Sequence, residues 1–253
     1  MTELVGILNI TPDSFSDGGQ WSDPYKVLGR VNALRLEGAD LIDIGAESTR
    51  PGAHEITANE EWQRLRPVIG ILREYYPACI FSIDTRHAQI ARRAINSWSS
   101  DLIINDVTGV HDPAMAEVLA EHGSRDIVSH LPAASGGDIA KAHTVTETNL
   151  NRVIDELHTQ IEVLVGQGIE RGKIIADPGI GFGKHRDLNR ELVTFAQYTD
   201  YPVTIGYSRK RFLGERRLDP AYNAEIGKIA AASGAAYLRV HDVTAHRGAL
   251  RST

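Results

Sequence analysis

The segment PYKVLGRVNALRLEGADLIDIG (residues 24–45) contains a helix pattern followed directly by a strand pattern. Val27, Val31 and Leu34 recur at helical spacing, and Gly38 is a typical helix stop. The run 39–45 and the earlier run LVGILNI (4–10) are almost continuously apolar, as strands buried on both faces are. The N-terminal part of the chain therefore reads as strand, helix, strand, which favours parallel pairing.

The same alternation continues along the rest of the chain. Thr57 with Glu60 forms a capping-box signal for the next helix, and a long helical segment ends near 166–168. Further apolar runs lie at 79–84, 102–107, 126–131, 174–179, 203–208 and 237–242. Eight strands that alternate with helices predict one (β/α)8 barrel domain over residues 1–253. An open, doubly wound sheet is the alternative, and the last helix should be short.

The composition excludes several classes of function. A net charge of −6 and a pI near 5.9 leave no basic surface for nucleic acid. No run of about 18 apolar residues predicts a membrane span. Cys79 is the single cysteine, so disulfides within the chain and thiolate metal clusters are excluded. The N-terminus lacks a basic start and a cleavage site, so we expect a cytoplasmic protein.

Polar residues stand at the end of every predicted strand, which is where a barrel carries its active site. They are Asn9, Asp43 with the stretch 47–50, Asp84, Asn105, Asp106, Ser129, His130, Asp177, the stretch 208–210, and the stretch 239–242. Individually, Asp84 could cap the next helix and Asn105 could belong to a turn. The shared placement at one end of the barrel predicts a site.

These residues have two complementary chemistries. The carboxylate and amide groups of Asp84, Asn105 and Asp177 suit a flat nitrogen heterocycle with guanidine-like donors. Arg239 and His241 alternate along one strand and face the same side, which is costly unless an anion meets them. GIGFGK (179–184) has neither the spacing of a nucleotide P-loop nor that of a dinucleotide fingerprint. A heterocycle with a phosphate or diphosphate arm would satisfy both groups. The remaining histidines, His143 among them, lack metal-ligand spacing and are interpreted as surface or packing residues.

Seven motifs resemble, in order and spacing, those of the dihydropteroate synthase family. They are GILNITPDSFSDGG, GADLIDIGAESTRPGA, SIDT, IINDVTG, DPGIGFGK, GYSRKRFLG and LRVHDV, which extend from residue 6 to residue 243. The resemblance implies a (β/α)8 barrel with its active site at the carboxyl ends of the strands. It also implies an enzyme of folate biosynthesis that joins a dihydropterin diphosphate to para-aminobenzoate, releases pyrophosphate and is a target of sulfonamides.

The resemblance also implies roles for individual residues. The pterin ring would be held by Asp84, Asn105, Asp177 and Lys210, with Phe182 packed against it. The pyrophosphate would be bound by Asn9, Arg239 and His241, with Asn9 also touching Mg²⁺. Two mobile loops, TPDSFSDGG (11–19) and ESTRPGA (47–53), would fold over the site. Thr49 would contact substrate from the second loop, and the para-aminobenzoate pocket would be formed by Ser208, Phe15 and Pro51. The implied catalytic residues are Arg50, Lys210, Arg239 and His241.

Two departures from the family pattern leave alternatives open. The fifth strand ends in Ser129-His130-Leu131 where the family has a Met-His-Met type of signature, which predicts weaker packing of the pterin. The family builds its homodimer interface from the last helices, so the short last helix makes a homodimer less secure. The alternatives are a pterin-binding barrel of the folate-dependent methyltransferase type, a paralogue that binds pterin without turnover, and a Schiff-base aldolase that uses Lys210.

Overall fold

The computed structural model describes residues 1–11, 23–49, 52–98 and 101–251. Within these residues, eight strands form one parallel sheet. They are β1 (Glu3–Asn9), β2 (Leu41–Gly45), β3 (Phe81–Asp84), β4 (Leu102–Asp106), β5 (Arg125–Ser129), β6 (Ile174–Asp177), β7 (Thr204–Ile205) and β8 (Tyr237–Val240).

The sheet closes on itself. The strand order is β6-β5-β4-β3-β2-β1-β8-β7, and the two end strands meet where Ala176 pairs with Val203. At this junction the Ala176 N–H donates to the Pro202 carbonyl at 2.8 Å. The predicted (β/α)8 barrel is confirmed, because an open doubly wound sheet would leave β6 and β7 at opposite edges. The assignment of residues 1–253 to a single domain stays a prediction.

Helices follow the strands and contact one another around the barrel, for example α1 with α2 and α8 with α9. Those in the described residues are α1 (Pro24–Glu37), α2 (Ala58–Tyr75), α3 (Ala88–Ser97), α4 (Pro113–His122), α5 (Ile139–Ala142), α6 (Leu150–Gly166), α7 (Arg186–Glu191), α8 (Pro220–Ala232) and α9 (Val243–Arg251). Among these helices, none combines the length and apolar composition that crossing a bilayer requires.

Local sequence explains where the first two of these helices begin and end. Asp23 accepts a hydrogen bond from Tyr25 N at the start of α1, and Gly38 ends it with a left-handed backbone (φ 102°). The predicted capping box of α2 is present, since Thr57 and Glu60 bond to each other's backbone N–H groups. Both helices therefore start at sequence-encoded positions, and α1 also ends at one.

The interior of the barrel has an apolar floor and a polar upper half. Val5, Leu41, Ile103, Ile127 and Ile175 form a separate buried cluster near the amino ends of the strands. Since side chains alternate along a strand, the residues two and four positions further on point into the same interior. Asn9, Asn105 and Asp177 are at such positions, so the barrel places these three predicted site residues above a packed floor.

The seventh strand is shorter than predicted. The apolar run 203–208 contains only two ladder residues, Thr204–Ile205, because the backbone turns away directly after them. Lys210 N donates to the Tyr207 carbonyl in this turn, and Arg209 adopts a left-handed conformation with φ 62°. The chain therefore reaches Ser208 and Lys210 in a loop rather than in a strand.

Candidate active site

The carboxyl ends of the strands bring the predicted site residues to one level of the barrel. Asn9 is in register with Gly45, Gly45 with Asp84, and Asp84 with Asn105. On the other side of the barrel, Ser129 of β5 is in register with Asp177 of β6. The predicted convergence of these residues is confirmed, although they come from separate motifs.

Arg239 forms the central ion pairs of the site. Its Nε donates to Asp43 Oδ2 at 2.6 Å, and its Nη2 donates to Asp84 Oδ2 at 2.8 Å. Asp84 thus accepts a hydrogen bond inside the barrel and does not serve as a helix cap, since α3 starts after His87. The sequence predicted that an anion would face Arg239, and in this structure the anions are two carboxylates of the chain itself.

Asp43 was noted only as a polar residue of its strand, and the structure gives it a definite place. Its side chain accepts from Ser82 Oγ at 2.6 Å and lies 3.4 Å from Asn105 Nδ2 through each of its oxygens. Asn105 is therefore oriented by its amide nitrogen. Its amide oxygen is buried and has no hydrogen-bond partner in the described part of the chain. That oxygen is an acceptor available to a ligand.

A recess lies between β6 and the loop after β7. Gly206 has no side chain there, and a Cβ at this position would lie 3.9 Å from Lys210 Nζ and 4.0 Å from Asp177 Oδ2. The Lys210 ammonium group lies 5.0 Å from the centre of the Phe182 ring and donates to the Ile180 carbonyl. An acid, a cation and an aromatic ring, all predicted from sequence, thus surround one recess.

The glycine-rich loop that carries Phe182 is held by a half-buried lysine, Lys184. Lys184 Nζ donates to the carbonyl oxygens of Phe182, Gly179 and His130 at 3.0, 2.9 and 3.2 Å. Gly179, Gly181 and Gly183 all have positive φ. The lysine therefore satisfies carbonyl groups of a tightly turned loop, a structural role unlike the phosphate contact of a P-loop lysine.

Ser208 and His241 lie together, although the sequence analysis assigned them to different pockets. Ser208 Oγ is 3.0 Å from His241 Nδ1 and accepts from the His241 backbone N–H at 3.3 Å. Asn223 accepts from Arg209 N at 3.0 Å and so supports the left-handed residue between Ser208 and Lys210. This turn directs two predicted site residues to the mouth of the barrel.

The loop after β2 is fastened at its base. Glu47 accepts from Arg86 Nε at 2.9 Å, from Arg86 Nη2 at 3.0 Å and from Ile56 N at 3.0 Å. Burial alone would raise the pKa of Glu47, but these hydrogen bonds lower it below its usual value. Thr49 follows directly after this base. Arg50, Pro51 and Phe15 lie outside the described residues.

His143, interpreted from sequence as a surface or packing residue, joins two parts of the site. Its ring stacks on Phe182 with centroids 5.6 Å apart, and its Nε2 donates to the Thr49 carbonyl at 3.0 Å. No rule of sequence spacing could have identified this role of His143. Thr49 is 94 residues away along the chain, and Phe182 belongs to another loop. His143, at the end of α5, therefore connects the loop after β2 to the glycine-rich loop that carries Phe182.

We expect His143→Ala to loosen the loop around Thr49. Loss of one hydrogen bond should speed amide hydrogen exchange of the peptide covering 48–56 by about threefold to tenfold. His143→Phe keeps the ring and should show faster exchange in that loop while the Phe182 loop stays protected. His54→Ala, an exposed histidine of the same loop, is the control. Equal exchange in His143→Ala and wild type would contradict this role.

Burial shifts the ionisation of the central groups. Desolvation raises the pKa of Asp177, and the nearby Lys210 and Lys184 ammonium groups oppose that rise. Desolvation lowers the pKa of Lys210 to about 8 and that of Lys184 to about 7, while Asp177 acts in the opposite direction on both. Burial also lowers the pKa of Arg239, but Asp43 and Asp84 outweigh it and raise the pKa above the usual range. A ligand with complementary charge would stabilise these groups in their ionised forms.

The residues near Asn9 fit a magnesium ion that is bound chiefly by a ligand. Among the described residues, no group of three or more His, Cys, Asp or Glu side chains is arranged to hold a metal. A Cβ on Gly45 would lie 3.7 Å from Asn9 Oδ1 and 3.5 Å from Asp84 Oδ2, so a small oxygen-lined recess exists there. Mg²⁺ prefers such oxygen donors and commonly takes its other ligands from substrate phosphates and water.

Comparison with known proteins agrees with this geometry. The profile of a family described as pterin binding enzyme matches residues 5–241. A barrel with acceptors and cations at its carboxyl edge, matched over this length, defines a pterin-binding enzyme.

Individual relatives narrow the class. The dihydropteroate synthase of Bacillus subtilis is 38% identical over 96% of this chain and 84% of its own length. A solved Xanthomonas albilineans dihydropteroate synthase with 4-aminobenzoic acid has a TM-score of 0.86 and 33% identity, covering 99% of this chain and 91% of that one. The chain therefore belongs to the dihydropteroate synthase family. It is also 38% identical, over 96% of its length, to a probable bifunctional folylpolyglutamate synthase/dihydropteroate synthase of Haloferax volcanii, of which it spans only 29%.

Proposed function

We propose that this chain condenses (7,8-dihydropterin-6-yl)methyl diphosphate with para-aminobenzoate to give 7,8-dihydropteroate and pyrophosphate. The observation that carries this proposal is the meeting of two sets of groups at one end of the barrel. Asp84, Asn105 and Asp177 offer acceptors for the donor edge of a pterin. Arg239 on β8 and His241 directly after this strand offer donors for a diphosphate.

The pterin would bind in the recess beside Gly206. Asp177 lies at this recess, and a carboxylate can accept two N–H groups from a guanidine-like edge. The free amide oxygen of Asn105 can accept a further N–H. Phe182 and Lys210 would contact the ring, and the stacked His143 holds the Phe182 ring in place. These contacts orient the methylene carbon toward the mouth of the barrel.

The reaction forms a C–N bond and breaks a C–O bond at that methylene carbon. The amine nitrogen of para-aminobenzoate supplies the new bond and loses a proton, while pyrophosphate leaves with the C–O electron pair. N–H groups of Arg239 and His241 would stabilise the charge that develops on the leaving oxygen. Asn9 would be the protein ligand of Mg²⁺, which when bound neutralises part of the diphosphate charge.

Para-aminobenzoate would bind at the outer part of the mouth. Ser208 is assigned to this pocket together with Phe15 and Pro51, which are placed there by motif alone. Support comes from the Xanthomonas relative, whose structure was solved with 4-aminobenzoic acid. Thr49 would contact substrate from the loop after β2. The catalytic role proposed for Arg50 is supported by its position in the family motif alone. Closure of these loops would exclude water from the reacting carbon.

The test is formation of 7,8-dihydropteroate from the two substrates and Mg²⁺. We expect product with the native chain and a loss of about tenfold or more in kcat/KM with Asp177→Asn, because a hydrogen bond to a charged acceptor is removed. Asp155→Asn, an exposed acid on α6, is the matched control and should match wild type. Pterin binding by folded protein without product would identify the non-catalytic paralogue and overturn the proposal.

We further propose that the enzyme acts in the cytoplasm and as a homodimer. Similarity to bacterial dihydropteroate synthases, such as that of Bacillus subtilis, supports the location. Family resemblance supports the dimer, because the family builds its interface from the last helices; the last helix described here, α9, has nine residues. Sedimentation at micromolar concentration distinguishes one copy from two.

A further inference from the structure

Arg239 is held by two carboxylates that differ in burial and position. Asp43 is 1% exposed and contacts the Nε side of the guanidinium group, whereas Asp84 is 13% exposed and contacts Nη2. Asp43 belongs to the strand level below Gly45, while Asp84 is in register with Gly45 at the upper level. One contact therefore lies deep in the barrel and the other at the mouth.

Among the described residues, only the deep carboxylate is also held by side chains other than Arg239. Asp43 accepts from Ser82 Oγ at 2.6 Å, and Asn105 Nδ2 lies 3.4 Å from both of its oxygens. For Asp84, the side-chain hydrogen bond found among the described residues is the one from Arg239. To accept donors from a ligand, the Asp84 carboxylate would therefore have to give up this one donor, Arg239 Nη2.

The upper ion pair conflicts with the function proposed above. Asp84 is needed to accept hydrogen bonds from the pterin, and Arg239 is needed to donate to the diphosphate. In this structure Asp84 and Arg239 are instead hydrogen-bonded to each other. A substrate that carries both groups resolves the conflict, since its pterin replaces the guanidinium at Asp84 and its diphosphate replaces Asp84 at the guanidinium.

We propose that Asp43 is a positioning residue that keeps Arg239 Nε fixed while the Nη2 end exchanges Asp84 for the diphosphate. This inference rests on the proposed function for the identity of the anion. Asp43 touches no substrate in this scheme and acts through Arg239. The Arg239–Asp84 pair is the contact that the substrate displaces.

The proposal predicts effects of opposite sign for two matched substitutions. Asp84→Asn removes the competing anion, so pyrophosphate with Mg²⁺ should bind about threefold or more tightly. Asp43→Asn removes the fixed partner of Nε, so the same probe should bind about tenfold or more weakly. A purely electrostatic effect would tighten anion binding in both, because each change removes a negative charge near the site. The opposite signs therefore identify positioning.

The measurement is isothermal titration of magnesium pyrophosphate into wild type, Asp43→Asn, Asp84→Asn and Ser82→Ala. Ser82→Ala removes only the hydroxyl that holds Asp43 and should weaken pyrophosphate binding in the same direction as Asp43→Asn, by a smaller factor. It keeps the test valid if Asp43→Asn fails to fold. Tighter or unchanged binding in both Ser82→Ala and any folded Asp43→Asn would overturn the proposal.

Two readouts separate this inference from the function on which it rests. If the wild-type chain forms product but the substitutions change pyrophosphate affinity in the opposite directions to those expected, the exchange is overturned and the synthase function remains. If the substitutions change pyrophosphate affinity as expected but no dihydropteroate forms, the exchange at an anion site is supported and the synthase function is overturned.

A second expectation concerns the wild-type chain. Pyrophosphate and 6-hydroxymethyl-7,8-dihydropterin should each tighten binding of the other, because pyrophosphate frees Asp84 for the pterin and the pterin frees Arg239 for pyrophosphate. Independent binding of the two would contradict the exchange.

Discussion

Arg239→Ala should lower kcat by about 10²-fold or more, with the protein still folded. The substitution removes the donor that the proposed reaction places on the leaving pyrophosphate. It also leaves Asp43 and Asp84 next to each other without the cation that now lies 2.6 and 2.8 Å from them. Two close carboxylates do not both ionise readily, so one should take up a proton and the site should change its charge as well as lose a donor.

Two further variants separate these effects. Arg239→Lys keeps the charge but loses the fork of the guanidinium group, so we expect intermediate turnover. Arg30→Ala, which removes a half-exposed arginine paired with Glu37, is the matched control and should retain wild-type turnover. Steady-state rates and thermal melting are measured together. Turnover in Arg239→Ala equal to that of wild type would exclude a role in stabilising the leaving group.

Asp126→Val should stabilise the fold by about 2 kcal/mol near pH 8, because it removes a buried acid without a hydrogen-bond partner. Asp126 lies on β5 between the in-register Ile104 and Ile174, and it is fully buried. Neither of its carboxylate oxygens has a partner in the described part of the chain. Burial, reinforced by Asp106, raises the pKa of Asp126 well above its usual value.

The sign of the pH dependence follows from that raised pKa. Below about pH 4 the group is protonated in both the folded and the unfolded chain, so it costs nothing through ionisation. As the pH rises, the unfolded chain releases its proton first, so the stability of the folded state falls until its own, higher pKa is reached. The gain from Asp126→Val should therefore grow between pH 4 and pH 8.

Asp126→Asn is the matched control. It removes the ionisation but keeps a polar group, so it should abolish the pH-dependent part of the gain and give less stability than Val. Urea unfolding at pH 5 and at pH 8 measures both variants. If Asp126→Val were destabilising at both pH values, the carboxyl group would have to be satisfied in solution, for instance by a buried water molecule.

The sequence was sufficient to predict the barrel and the convergence of polar strand ends at one end of it, for a physical reason. Strand runs are encoded locally, and a closed parallel barrel brings the carboxyl ends of all strands to one face, so Asp84, Asn105 and Asp177 had to converge. The family motifs added the roles. Asp84 and Asp177 needed no long-range information to be found.

The pairs that hold the site together could not be found in this way. Asp43 and Arg239 are 196 residues apart and meet through the interior of the barrel. The contact between Thr49 and His143 joins the loop after β2 to the end of α5. Such contacts depend on side-chain reach and on loop conformation, and neither leaves a periodic signal. The short β7 was missed for a related reason, because an apolar run does not reveal where its backbone leaves the ladder.

The junction between β6 and β7 gives the pterin recess a second consequence. A strand of two residues and a single bridged pair, Ala176 with Val203, close the barrel at this point. Asp177 lies at the end of one strand, and Lys210 follows the other. A ring bound between Asp177 and Lys210 would contact both sides of this junction, which a single bridged pair joins. Occupancy of the recess should therefore suppress local opening of the barrel at this junction, so that bound substrate stabilises the structure that binds it.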